Sequence, residues 1–227
     1  KCYAPPLRIV EQFYTENGVP IEEDKDWVGI DPMGIKTASA SDKLYIQEGF
    51  ETINLHFKRE ARFYGSIIFD GGTFYGNSRT TTDNNLWVTK LKFGNISGGN
   101  TPTDRHSSTG YLCKKMIHYL SSVPDNSDQF TQHRYAFPII RLADLYLMYA
   151  EALNEYSGPS GEVYKYLDMI RERAGLEGVQ ASWTKYSISP SKVTTKEGLR
   201  EIIQHEREIE LVFEGQHFWD LRRWKRI

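Results

Sequence analysis

The sequence predicts a mainly α-helical fold, in which tetratricopeptide-like helix pairs form residues 138–227 and a loop-rich region with short β-strands forms residues 1–137. Two observations predict this class. After residue 138, apolar residues recur at the three- and four-residue spacing of helices. Between residues 21 and 128, Gly, Asp, Asn, Ser and Thr are frequent, and these residue types favour turns. The hydrophobic fraction of 39% is sufficient for a core.

Two short elements are predicted in the first half of the chain. A helix is expected within residues 1–20, because Pro5-Pro6 suits its first turn and Asn17-Gly18 ends it. Residues 53–57 alternate between apolar and polar side chains, and residues 63–69 are rich in aromatic and β-branched side chains. Both segments therefore predict short strands.

The second half of the chain predicts two helix pairs. From Pro138, "PIIRLADLYLMYAEALNEY" is apolar around most of its circumference, which predicts a largely buried helix. A turn at residues 157–159 leads to a second helix that ends at Gly175, and this pair has nearly the length of a tetratricopeptide unit. The second pair is expected at about 194–226, with Thr194 and Glu197 spaced as in a capping box.

Two carboxylates fall within the apolar stripe of the helix that precedes Gly215. These are Glu206 and Glu210, and an unpaired buried carboxylate costs several kcal/mol. We therefore predict ion pairs with arginines of neighbouring helices; the candidates are Arg141, Arg171, Arg173, Arg222 and Arg223. His205-Glu206 matches the start of the zinc motif H-E-x-x-H, but Ile209 stands where the second ligand is needed, so no zinc site is predicted.

Charge and composition exclude several classes of function. The net charge of −2 provides no positive field for nucleic acid, and no run of about 18 apolar residues predicts a membrane span. Cys2 and Cys113 lack C-x-x-C spacing, so we expect no cofactor or metal. Neither a G-x-S-x-G elbow nor a phosphate-binding loop is present.

Several segments resemble, in order and spacing, the SusD/RagB-like nutrient-binding outer-membrane lipoproteins. "IIRLADLYLMYAEALNE", "LDMIRERAGL" and "HEREIELVFEGQHFWDLRRW" are similar to the C-terminal half of that family. "PPLRIVEQFYTENGVPI", "ARFYGSIIFDGG" and "STGYLCKKMIHY" are similar to the segments before it, so the resemblance covers residues 1–227. The tail motif is filled by Glu206, Arg207, Glu210, Glu214, Gly215, Asp220, Leu221, Arg223 and Trp224.

The chain departs from this family in two respects. Members of the family usually begin with a lipidated cysteine and several helix pairs, and they continue beyond the Arg-Trp motif. We therefore expect a piece of a longer protein, with the lipid anchor on the missing N-terminal part. In addition, Glu60-Ala61-Arg62 stands where an Asp-Pro-Arg sequence is common.

The resemblance implies binding without catalysis. It implies a protein on the outer-membrane surface that captures an oligosaccharide or other nutrient and delivers it to a SusC-like TonB-dependent transporter. Two alternatives remain: a tetratricopeptide-like protein-interaction scaffold without a small ligand, and a glycoside hydrolase, which needs two carboxylates at a defined separation.

Aromatic rings beside hydrogen-bonding groups are the chemistry that a sugar site requires. The candidates, all in polar or Gly-rich segments, are Trp27, Phe74, Tyr75, Asp83, Asn84 and Trp87. We expect Tyr75 and Trp87 to be the main stacking surfaces. For each ring the alternative is a buried anchor that holds a loop in place. Trp219 and Trp224 are assigned to packing.

Overall fold

The structure is a computed structural model that describes residues 4–74, 86–95, 98, 107–122, 131–136 and 138–226. Within these residues the chain is mainly helical with a few short strands, as predicted. The α-helices are α1 (Leu7–Glu11), α2 (Ala61–Ser66), α3 (Leu142–Ser157), α4 (Gly161–Arg173), α5 (Val179–Tyr186), α6 (Lys196–Glu210) and α7 (His217–Arg223). The strands are β1 (Ile35–Thr37), β2 (Glu51–Ile53), β3 (Ile67–Ile68), β4 (Thr73–Phe74), β5 (Trp87–Val88) and β6 (Leu112–Cys113).

The chain divides into two compact units. The helical unit consists of residues 8–30, 58–63 and 138–227, and the loop-rich unit consists of residues 1–7, 31–57 and 64–137. Two segments from the first 63 residues therefore belong to the helical unit.

The helical unit contains helices in both predicted segments, residues 138–175 and 194–226. Helices α3 and α4 pack against each other, and α6 packs on α3. Thr195, rather than Thr194, caps α6, since its hydroxyl accepts a hydrogen bond from Gly198 N at 3.1 Å. Gly175 (φ 77°) and Gly215 (φ 82°) have the left-handed backbone conformation that favours glycine, and they follow α4 and precede α7. Helix α5 was not predicted.

The N-terminal helix is shorter than predicted. It ends at Glu11 because the Arg59 guanidinium takes up backbone carbonyls that a longer helix would need. Arg59 donates to Val10 O and Glu11 O, both at 3.3 Å, and also to Phe13 O. The carbonyl groups at this helix end are therefore satisfied by a side chain from a distant segment.

The two strand predictions in the loop-rich half were mostly wrong. Only Ile53 of residues 53–57 lies in a strand, and a 3-10 turn follows at Asn54–His56. Helix α2 occupies most of residues 63–69, so only β3 is extended there. Phe63 and Tyr64 are both buried, which adjacent residues of a strand with one buried face cannot be.

Three two-stranded antiparallel sheets form the regular part of the loop-rich unit, as far as its residues are described. β1 pairs with β2, β3 with β6, and β4 with β5. The last pairing places Phe74 opposite Trp87. The core of the loop-rich unit contains several aromatic rings. Tyr45 and Tyr64, for example, stack with ring centroids 3.8 Å apart.

Helix α3 is only partly buried, although the sequence predicted a largely buried helix. Its charged residues Asp144 and Glu151 are buried. Its apolar residues include an exposed row; these are Leu142 (58% exposed), Leu145 (49%), Met148 (42%), Tyr149 (44%) and Tyr156 (90%). Asp144 and Glu151 face inward because they bind Arg207 and Arg223. The apolar residues on the other side of the helix are therefore in contact with solvent.

Glu206 is the centre of a buried ion network. Its carboxylate lies 2.7 Å from Arg62 Nη1 and 3.1 Å from Arg171 Nη1, and Glu206 and Arg171 are fully buried. Burial alone would raise the pKa of Glu206, but the charges of Arg62 and Arg171 hold it below its ordinary value. Arg62 also binds Glu60 at 2.6 Å. The predicted pairing is confirmed, while Arg62 was not among the predicted partners.

Glu210 extends this network to two more arginines. Its carboxylate lies 2.8 Å from Arg141 Nη1 and 2.6 Å from Arg173 Nη2. Arg141 also binds Glu214, with 2.7 Å between Nη2 and Oε1. These contacts join α4, α6 and the residue before α3.

The remaining motif residues join α3, α6 and α7. Arg207 binds Asp144 and Asp220, and Arg223 binds both oxygens of Glu151 at 2.6 and 2.8 Å. Trp224 donates from Nε1 to Glu151 at 2.9 Å. Trp219, which was assigned to packing, is 63% exposed. It points outward because α7 turns Asp220 towards Arg207.

Replacing Glu206 by Ala should destabilise the protein by about 3 to 5 kcal/mol, because buried Arg171 and Arg62 lose their shared carboxylate. Urea denaturation measures this change. The control is Glu155→Ala, which removes the surface pair with Arg200 and should cost about 1 kcal/mol or less. Equal midpoints for wild type and Glu206→Ala would show that the pair contributes nothing.

The exposed face of α3 should tolerate polar substitution. Leu142→Gln and Leu145→Gln should each change the unfolding free energy by only about 0.5 kcal/mol or less. Leu147→Ala, at a fully buried position of the same helix, should cost about 2 to 5 kcal/mol. Thermal denaturation of the three variants compares the two faces, and a large loss for Leu142→Gln would contradict the described orientation.

Candidate functional site

The loop-rich unit has an open cavity of about 500 Å³. Its lining comes from β3, β4, β5, β6 and the segment after β5; the residues are Ile68, Phe74, Trp87, Val88, Thr89, Lys90, Leu91, Asn95 and Leu112. Most of this surface is apolar. A lining of this kind, with a few polar groups, is typical of small-molecule sites.

Two aromatic rings form one wall of the cavity. The register of β4 and β5 brings Phe74 and Trp87 together, with ring centroids 6.4 Å apart and planes 25° from parallel. Both rings are half-buried. Thr89 anchors the strand end, because its hydroxyl donates to Gly72 O at 3.0 Å and its carbonyl accepts from Gly71 N at 2.9 Å. The aromatic wall is thus held by backbone pairing on both sides.

The polar groups of the cavity are few. Lys90 is exposed, and Asn95 is half-buried with its amide donating to Lys92 O at 3.1 Å. Among the described residues, no Asp or Glu contributes to the lining. The described part of this cavity is therefore apolar and cationic in character.

Lys114 lies beside Phe74. Its ammonium is 5.6 Å from the centroid of the Phe74 ring and donates to Thr73 O at 3.4 Å. Burial lowers the pKa of Lys114 to about 8. Burying a charged ammonium lowers the stability of the folded protein, because the ammonium loses part of its hydration. Groups with such shifted pKa values are common at functional sites.

A second cavity of about 320 Å³ shares the side chain of Leu91 with the first. It is more polar, and Asp70, Lys92, His56 and Tyr111 line it. Asp70 accepts from Leu91 N at 2.8 Å and lies 3.7 Å from Lys92 Nζ, so the two charges balance.

His56 in this second cavity has both ring nitrogens hydrogen-bonded. Nδ1 lies 2.7 Å from Thr52 Oγ1, and Nε2 lies 3.0 Å from Tyr111 Oη. Thr52 uses its single hydroxyl hydrogen to bind Asp70 O at 3.0 Å, so Nδ1 of His56 must be the donor. Because both ring nitrogens are held, the imidazole serves as a fixed part of the wall.

The structure brings two of the predicted ligand residues together, Phe74 and Trp87. Tyr75, Asp83 and Asn84 lie outside the described residues. Trp27 is only 7% exposed and belongs to a 3-10 turn of the helical unit, so it acts as a buried anchor there and does not line this cavity.

Sequence reasoning missed Lys90, Asn95 and Lys114. Lys114 follows β6, which pairs with β3 more than 40 residues earlier in the chain, and that pairing leaves no local signal. Lys90 lies three residues after Trp87, and this proximity was a usable signal.

No cluster of three or more His, Cys, Asp or Glu side chains among the residues that the structure describes is arranged to hold a metal ion. None of the helices in that part of the chain combines the length and apolar character needed to cross a bilayer.

Replacing Lys114 by Met should stabilise the protein by about 1 to 2 kcal/mol at pH 7, since the burial cost of the charge disappears. The pKa is lower in the folded than in the unfolded state, so wild-type stability should rise between about pH 8 and 10.5. The advantage of Met should shrink over the same range. Urea midpoints at pH 7 and pH 10 measure this, with exposed Lys43→Met as control; a Met variant less stable at pH 7 would contradict the assignment.

The chain is similar to known proteins of the SusD family. The profile of the SusD family matches residues 1–227. Two SusD-like proteins of Formosa agariphila, P2 and P25, are 40% identical over 86 residues and 38% identical over 100 residues. These matches cover 38% and 44% of this chain, and 16% and 17% of the relatives.

Solved structures of SusD-like proteins also have a similar fold. A SusD-like protein of Bacteroides fragilis has a TM-score of 0.64 at 26% identity, over 98% of this chain and 36% of its own. A SusD-like carbohydrate-binding protein of the same species, 22% identical with a TM-score of 0.57, shares the fold over 99% of this chain and 38% of its own. This chain thus spans little more than a third of those proteins. Because the family profile matches its whole length, the chain belongs to the SusD family.

Proposed function

We propose that this chain is part of a cell-surface protein that binds an oligosaccharide and delivers it to a SusC-like TonB-dependent transporter. The observation that carries the proposal is the stacked pair of Phe74 and Trp87, half-exposed at an open cavity. Membership of the SusD family supports the outer-membrane location and the transporter partner. The lipid anchor would lie on the part of the full-length protein that precedes these residues.

The chemistry of the cavity suits a sugar ring. The C–H face of a pyranose is apolar, so it can lie on the Trp87 indole while its hydroxyl groups bond to Asn95 and Lys90. Stacking contributes on the order of 1 kcal/mol beyond the buried area, so the affinity depends on several contacts together. Tyr75 follows β4 and Asp83-Asn84 precedes β5, and we include them in the proposed site.

Two alternative functions have less support. A glycoside hydrolase needs a pair of carboxylates, and among the described lining residues of both cavities Asp70 is the sole acid. A protein-interaction scaffold without a small ligand would not need an open aromatic cavity. The exposed face of α3 is compatible with packing against another protein segment, but it does not account for the cavity.

Replacing Trp87 by Ala in the full-length protein should weaken oligosaccharide binding about 5- to 30-fold, because the stacking surface is lost. Isothermal calorimetry with an oligosaccharide panel measures the affinity. Phe74→Ala and Tyr75→Ala should give partial losses. Trp219→Ala removes an exposed indole of the helical unit and should leave binding unchanged.

Three results would count against this function. Equal affinity for wild type and Trp87→Ala would place the sugar elsewhere, and no binding to any oligosaccharide would remove the glycan proposal. Chromatography of the incubated sugar provides the third test, because shortened products would favour the hydrolase alternative. Co-purification of the full-length protein with an outer-membrane transporter tests the partner.

A further inference from the structure

The charge of Lys90 is unbalanced within the described cavity. Its side chain is exposed, and no ion pair joins it to another described residue. The described lining contains no carboxylate, and its polar side chains are those of Thr89, Lys90 and Asn95. A neutral sugar needs acceptors as well as donors for its hydroxyl groups, whereas an ammonium supplies donors alone.

The neighbouring cavity provides an internal comparison. Lys92 lies two residues further along the chain, and its Nζ is 3.7 Å from Asp70 Oδ2. Lys92 also lies over the Phe50 ring at 5.6 Å. The charge of Lys92 is therefore already engaged by protein groups, whereas Lys90 is an exposed lining residue of the cavity that also contains Trp87.

A second ammonium group, that of Lys114, lies near the same aromatic rings. The Lys114 ammonium lies 5.6 Å from the centroid of the Phe74 ring, and burial lowers its pKa to about 8. A negative charge bound nearby would favour the protonated form of Lys114. Both ammonium groups thus favour an anion near the two stacked rings.

We propose that the oligosaccharide bound at the Phe74–Trp87 cavity carries an anionic group, a carboxylate or a sulfate ester, which pairs with Lys90. This inference rests on the proposed glycan-binding function and specifies its ligand class. Trp87 and Phe74 contact the ring face, and Lys90 selects the charge.

The test uses calorimetry of the full-length protein with three oligosaccharides of equal length: neutral galactan, oligogalacturonate and sulfated galactan. At least one anionic sugar should bind more tightly than the neutral one, with an affinity that falls as NaCl is raised. The uronate and sulfate arms identify which anion is preferred. Lys90→Gln should weaken binding of that sugar about 3- to 10-fold and reduce its salt dependence.

Lys43→Gln is the matched control, because Lys43 is an exposed lysine of the same unit that does not line the cavity. It should leave the affinity unchanged. If the neutral sugar binds as tightly as both anionic sugars, or if Lys90→Gln has no effect, the charge inference is wrong. If Trp87→Ala still weakens binding in that case, the proposed function survives. If none of the three binds in a Trp87-dependent manner, both proposals fail.

Discussion

The buried carboxylate of Glu206 is the constraint on which the helical unit depends. A carboxylate that is fully buried must be paired, and here Arg171 from α4 and Arg62 from a distant segment provide the pairing. These contacts determine which side of α6 faces inward. They also explain why segments 8–30 and 58–63 join the helices: their backbone and side chains complete the coordination of the arginines. Arg171, for example, donates to Gly18 O at 2.9 Å.

The same requirement determines the orientation of α3. Asp144 and Glu151 must reach Arg207 and Arg223, so the charged side of the helix faces inward and an apolar side faces solvent. The ion pairs are numerous and close, and removing either partner of a buried pair costs more than leaving an apolar side chain exposed. Leu147 and Ala150 are buried on the same side, so charge pairing and apolar burial act together at this helix.

The sequence predicted the helices well because their signals are local: spacing of apolar residues, a capping threonine and terminal glycines. It also placed Glu206 and Glu210 in ion pairs. It failed where structure depends on distant pairing, as for Arg62, for the turn at Asn54–His56 and for Lys114. At the candidate site, Phe74 and Trp87 lie opposite each other in one strand pairing, whereas Trp27 could not be recognised as buried without the fold. Aromatic residues in polar segments indicate anchors and binding surfaces equally.

One cavity of the loop-rich unit combines the aromatic wall of Phe74 and Trp87 with the exposed ammonium of Lys90. Backbone pairing fixes Phe74 and Trp87, and Lys90 lies at the same surface, where the described lining residues include no carboxylate. The most direct test is a crystal structure of the full-length protein with an anionic oligosaccharide that it binds. The account predicts a sugar ring parallel to the Trp87 indole, with its carboxylate or sulfate within ion-pair distance of Lys90 Nζ. A sugar bound elsewhere, or one whose anionic group points into solvent away from Lys90, would contradict it.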